Sequence, residues 1–95
     1  MSAYVIAELD ITDPEKFAEY RGLVPATIEQ YGGKYLARGG SVEVLEGDWN
    51  PARIVILEFE STEQAKKWID SDEYTPVKQI RFESANTNVV LVEGA

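Results

Sequence analysis

The sequence predicts an α+β domain with its elements in the order β-α-β-β-α-(α)-β, the split βαβ or ferredoxin-like arrangement of an antiparallel sheet. Three observations carry this. Residues 17–31 and 65–69 place apolar side chains at helical spacing. Each stretch follows a capping sequence, Thr12-Asp13-Pro14-Glu15 or Ser61-Thr62-Glu63-Gln64. Around them lie β-rich runs: AYVIAELD, RIVILEF and TNVVLVE. A length of 95 residues fits one domain, residues 1–95.

The elements follow in order. Residues 3–10 (AYVIAELD) read as a strand bounded by polar residues. Thr12 or Asp13 then caps a helix, Pro14 suits its first turn, and Glu15 has capping-box spacing from Thr12. Phe17, Tyr20, Val24, Ile28 and Tyr31 form one stripe along it. Pro25 lies inside that stripe and predicts a kink or split near Leu23-Val24. Gly32-Gly33 ends the helix. Residues 34–46 read as a strand interrupted by Gly39-Gly40, and Gly47-Asp48-Trp49-Asn50-Pro51 as a loop. Residues 53–59 (RIVILEF) are the clearest strand. Ser61 starts a second helix with Ala65, Trp68 and Ile69 inward, and Ser71-Asp72 breaks it. Residues 73–85 predict a third helix, with Tyr74, Val77 and Arg81 on one stripe. Residues 87–93 (TNVVLVE) close the chain as a strand.

Two of these strands are apolar on both faces. Ile54 and Ile56 oppose Val55, Leu57 and Phe59, and Val89 and Leu91 oppose Val90 and Val92. Such strands belong to sheets covered on both sides, yet the helices of this arrangement cover one side only. A homodimer is the economical way to cover the other, because large apolar patches are rare on monomers.

The segment Arg38-Gly39-Gly40 interrupts its strand in the middle. A phosphate loop needs a helix N-terminus after the glycines, and here another β-rich run, Ser41-Val42-Glu43-Val44, follows. The glycines therefore predict a bulge that bends one long strand into residues 34–38 and 41–46. An Arg beside such a bend is either aimed into a cleft or paired with Glu43 or Glu58.

Composition removes several kinds of chemistry. The chain holds 17 acidic and 9 basic residues, a net charge of −8, with no cluster of Lys and Arg. Nucleic-acid binding needs such a cluster and is not expected. Absence of Cys and His excludes disulfides, thiolate sites, a Ser-His-Asp triad and His-held zinc or haem. The carboxylates Glu8, Asp10, Glu43, Glu46 and Asp48 lack the dense spacing of a calcium loop. No metal and no bound cofactor are expected. The first ten residues lack the basic flank of a signal peptide. No run approaches the roughly 20 apolar residues of a membrane span, so a cytoplasmic protein with no membrane partner is expected.

Several segments resemble one bacterial family. They are Tyr20-Arg21-Gly22-Leu23-Val24-Pro25, residues 31–40 (YGGKYLARGG), residues 43–49 (EVLEGDW), Leu57-Glu58-Phe59, Trp68, Ser71-Asp72-Glu73-Tyr74 and Val92-Glu93-Gly94. Together they resemble domain-of-unknown-function family thirteen-thirty over nearly the whole chain. Glu60 departs from it, standing where the family pattern has Pro. The resemblance implies a dimeric α+β barrel, in which two ferredoxin-like chains put their sheets face to face. It implies no particular reaction.

The polar-tipped residues beside apolar faces form the candidate site. A pocket on the sheet is expected to be lined by Tyr20, Tyr35, Trp49 and Arg81 as substrate-binding residues, with Arg38 and Glu58 as catalytic ones. Tyr74 belongs to the same set. Arg38 or Arg81 suits a carboxylate or an enolate-like oxyanion, and Glu58 suits a general base if burial raises its pKa. The set fits a small-molecule-binding domain, or an enzyme acting on a small carboxylate or enolisable substrate without a bound cofactor. The alternative is a non-catalytic dimeric interaction or metabolite-sensing module, which the absence of His favours.

Overall fold

Alternating burial organises the sheet. A computed structural model describes residues 2–95 and contains strands β1 (Ala3–Ile11), β2 (Lys34–Arg38), β3 (Ile54–Phe59) and β4 (Ala85–Glu93). They form one antiparallel sheet in the order β2-β3-β1-β4. Helices α1 (Pro14–Gln30), α2 (Thr62–Ile69) and α3 (Thr75–Ser84) complete the predicted order. Val5, Leu9, Leu57 and Phe59 project to the helical side and pack against Phe17, Ile28 and Trp68 in one core.

The opposite side of the sheet carries no helix. There Tyr4 lies opposite Glu58 and Val92, and Ile6 opposite Ile56 and Val90. Val90 and Val92 are 57% and 46% exposed. The doubly apolar strands thus present their even-numbered residues on an open apolar face.

Local signals explain the helix ends. Asp13, not Thr12, caps α1, accepting from the Lys16 amide at 3.2 Å, and Pro14 opens the first turn. Gly32, at φ 76°, stops it. The Gly33 amide donates to the Ile28 carbonyl at 2.9 Å and the Gly32 amide to the Glu29 carbonyl at 3.0 Å, the paired bonds of a Schellman ending. Of the kink or split expected at Pro25, the split does not occur; α1 runs unbroken through it. The missing donor would have served the carbonyl of Arg21, an exposed residue, where solvent can take its place. Ser61 caps α2 by accepting from the Gln64 amide at 3.1 Å. Ser71 links α2 to α3, donating to the Trp68 carbonyl at 2.7 Å and accepting from the Tyr74 amide at 3.1 Å.

The Arg-Gly-Gly segment differs from its expected form. The register shift in the β2–β3 ladder falls between Tyr35 and Ala37, not at the glycines. Gly39 does adopt a left-handed φ of 70°, and its amide still donates to the Ile54 carbonyl at 3.0 Å. β2 ends at Arg38, and residues 41–46 form no strand. The reason is topological. β2 lies at the sheet edge and β3 begins only at Ile54, so residues 41–46 have no neighbouring strand to accept their hydrogen bonds. They are exposed throughout.

Candidate functional site

A cavity opens between the helical side of the sheet and α1 and α3. Its walls are apolar and aromatic, including Val5, Leu9, Phe17, Val55, Leu57 and Trp68. Inside it about 50 Å³ is open to the centres of water-sized molecules. At roughly 10–15 Å³ per water, that is room for a few waters or a small organic group.

Four arginines line this cavity, Arg21, Arg38, Arg53 and Arg81. No acidic residue lines it. Among the described residues the ion pairs are Lys16–Glu83 and Lys34–Glu58, and neither involves an Arg. The arginines instead lie near aromatic rings. Arg38 Cζ sits 4.4 Å from the Tyr35 ring centre, and Arg53 and Arg21 lie 5.9 and 6.0 Å from that of Phe17. Arg21 and Arg38 are exposed at the mouth, Arg53 is half-buried, and Arg81 is only 5% exposed. The Nε atoms of Arg53 and Arg81 are buried without a hydrogen-bond partner. A chain of net charge −8 therefore concentrates positive charge around one apolar space.

Tyrosines form the deep end. The hydroxyls of Tyr20 and Tyr74 lie 2.7 Å apart, both side chains buried. Tyr74 stacks on Trp68 with centroids 4.3 Å apart. Trp68 is in turn anchored, its Nε1 donating to Thr27 Oγ1 at 3.1 Å. Burial raises both hydroxyls, that of Tyr20 well above the usual tyrosine range, with the Arg81 charge opposing the rise. Tyr35 is raised by burial as well, with Arg38 opposing. All three phenols are therefore protonated at neutral pH and able to donate.

The structure brings Tyr20, Tyr35, Arg38 and Arg81 to this cavity and separates two other candidates from it. Glu58 projects from the opposite face of the sheet, beside Tyr4 in register, with Lys34 Nζ 3.2 Å from its carboxylate. Hydrogen bonds from Ser2 and then Lys34 hold its carboxyl below the usual range. That is the reverse of the raised pKa expected of a base. Its even-numbered position on a two-faced strand puts it there. Trp49 is also on the far side, its Nε1 donating to Glu8 Oε2 at 2.9 Å. Glu8 accepts again from Asn88 Nδ2 at 3.1 Å.

Arg21 and Arg53 were not among the expected residues. Arg53 shares the inward parity of Val55, Leu57 and Phe59, and that alternation was the available signal. Its guanidinium also packs against Gly39, where any Cβ would collide with it. The first glycine of Arg-Gly-Gly thus turns the chain and leaves space for a cavity arginine. Arg21 follows Tyr20 by one position and Phe17 by one helical turn.

Known structures share this architecture. A Rhodopseudomonas palustris protein of unknown function is 16% identical, with a TM-score of 0.81 over 99% of this chain and 82% of that one. A dimeric ferredoxin-like protein of unknown function from Jannaschia sp. CCS1 is 10% identical, with a TM-score of 0.73 over 99% and 100% of the two chains. SnoaB, a cofactor-independent oxygenase from Streptomyces nogalater, is 8% identical, with a TM-score of 0.65 over 99% and 93%. At these identities the likeness concerns the fold alone. No curated protein matches the sequence. The family model described as domain of unknown function (DUF1330) matches residues 2–95, and the chain belongs to that family.

Proposed function

We propose that this protein is a homodimeric small-molecule binder whose ligand is a small organic anion, a carboxylate or the enolate of an enolisable compound. The observation that carries the reading is the set of cavity arginines with no carboxylate partner. Buried guanidinium nitrogens, here the Nε atoms of Arg53 and Arg81, are costly unless a partner satisfies them. The apolar walls suit the body of an organic acid better than a bare inorganic ion. The open face bearing Tyr4, Ile6, Ile56, Val90 and Val92 supports the dimer, as does the description of the Jannaschia neighbour as dimeric.

The second reading is catalysis on that bound anion without a cofactor. The Streptomyces neighbour of this fold is a cofactor-independent oxygenase, which supports this reading by analogy. In this chain the cavity has phenols held protonated and no carboxylate base. That arrangement stabilises negative charge and does not readily remove a proton, which favours binding over general-base catalysis.

The test is calorimetry with small aliphatic and aromatic carboxylates, chosen by thermal shift, on the native protein and on Arg38→Ala and Arg53→Ala. Loss of a charge-assisted hydrogen bond is expected to weaken binding about tenfold or more. Unchanged affinity in both variants at equal stability, or no binding by any acid, overturns the reading.

A further inference from the structure

The hydrogen-bond count at the deep end of the cavity does not close. Tyr20 and Tyr74 bring two hydroxyl protons to one 2.7 Å contact. Whichever hydroxyl donates, the other keeps a proton for which the described residues supply no acceptor. Arg81, which lines the same cavity, brings a second buried donor without a partner, its Nε, and is 5% exposed. Its charge acts on both hydroxyls. No acidic side chain lines the cavity to accept from any of them. Buried donors are nearly always satisfied, so the missing partner is an acceptor that arrives from outside.

We propose that Arg81 and the Tyr20–Tyr74 pair form a second oxygen-binding site at the cavity floor, separate from the cationic rim of Arg38 and Arg53. The ligand is therefore a bifunctional acid, with a carboxylate at the rim and a phenol, enol or keto oxygen at the floor. This rests on the cavity being an organic-anion site. The two ends differ in exposure: Arg38 is open to solvent and Arg53 half-buried, whereas Tyr20, Tyr74 and Arg81 are buried. The aromatic and branched side chains between them favour a flat, apolar body of limited size. A carboxylate keeps part of its hydration at the rim. The floor oxygen is desolvated and needs the full donor set.

The experiment compares matched ligands on the native protein by calorimetry: benzoate with 3- and 4-hydroxybenzoate, and butyrate with 2-ketobutyrate. At least one oxygen-bearing acid is expected to bind about tenfold tighter than its parent, the gain expected for a hydrogen bond to a charge-assisted donor set. In Tyr20→Phe/Tyr74→Phe that advantage is expected to fall to near unity while binding of the parent acid persists. A purely structural role for the hydroxyls would weaken both members of a pair alike. If parent and oxygen-bearing acids bind the native protein equally, water occupies the floor and this proposal falls, while the organic-anion reading stands. If no acid binds, both fall. Should the double variant fail to fold, the ligand ratios on the native protein decide alone.

Discussion

Gly39→Ala compared with Gly40→Ala tests how the Arg-Gly-Gly segment supports the cavity. Gly39 has a φ of 70°, and a Cβ there would meet the Arg53 guanidinium. Gly40 has no positive φ, and a Cβ there meets nothing within 4 Å. A left-handed non-glycine residue costs about 1–2 kcal/mol. Displacing Arg53 adds to this, because the guanidinium must find a new position beside Phe17. Gly40→Ala, free of both costs, is expected to be neutral or to stabilise by about 0.4–1 kcal/mol through the unfolded chain. For a domain of this size each kcal/mol shifts Tm by roughly 4–8 °C. Urea and thermal unfolding at fixed protein concentration measure both variants. Arg53→Ala in the Gly39→Ala background is expected to recover the steric part but not the backbone part. Equal stability of the Gly39 and Gly40 variants would refute the assignment of distinct roles to the two glycines.

Val90→Asp places a charge on the open sheet face and is expected to convert dimer to monomer at micromolar concentration. Light scattering that gives the same mass for native and variant protein counts against this face as the contact. Glu58→Gln is expected to leave ligand affinity unchanged, since Glu58 faces away from the cavity; a large loss in calorimetry would return it to the site. Alkaline pH is expected to unfold the protein with a defined sign. Tyr20 and Tyr74 have folded pKa values raised by burial, so the unfolded chain loses protons first, above about pH 10. Their contribution is full below that pH and is lost as pH rises. Near-ultraviolet titration should show these two phenols ionising only together with unfolding. Ionisation in the native fold would contradict their burial.

The sequence by itself determined the order of elements, the inward stripe formed by Tyr74 just before α3 and Val77 and Arg81 within it, and the existence of a second apolar face. These are local or periodic properties. Caps, a glycine stop and alternation with period two act through neighbours along the chain, and they do not depend on what packs above. Two-faced alternation announced a second apolar face without saying which parity it used. The tertiary structure alone decided that parity. It sent Glu58 and Trp49 to the open face and Arg53 to the cavity, because each side chain follows the face on which the helices settle. It also decided that residues 41–46 form no strand within this chain, since a strand exists only where another strand accepts its hydrogen bonds. The absence of carboxylates around Arg21, Arg38, Arg53 and Arg81 was likewise invisible in a chain with 17 acidic residues. Composition counts charges, but pairing is set by which segments meet in three dimensions.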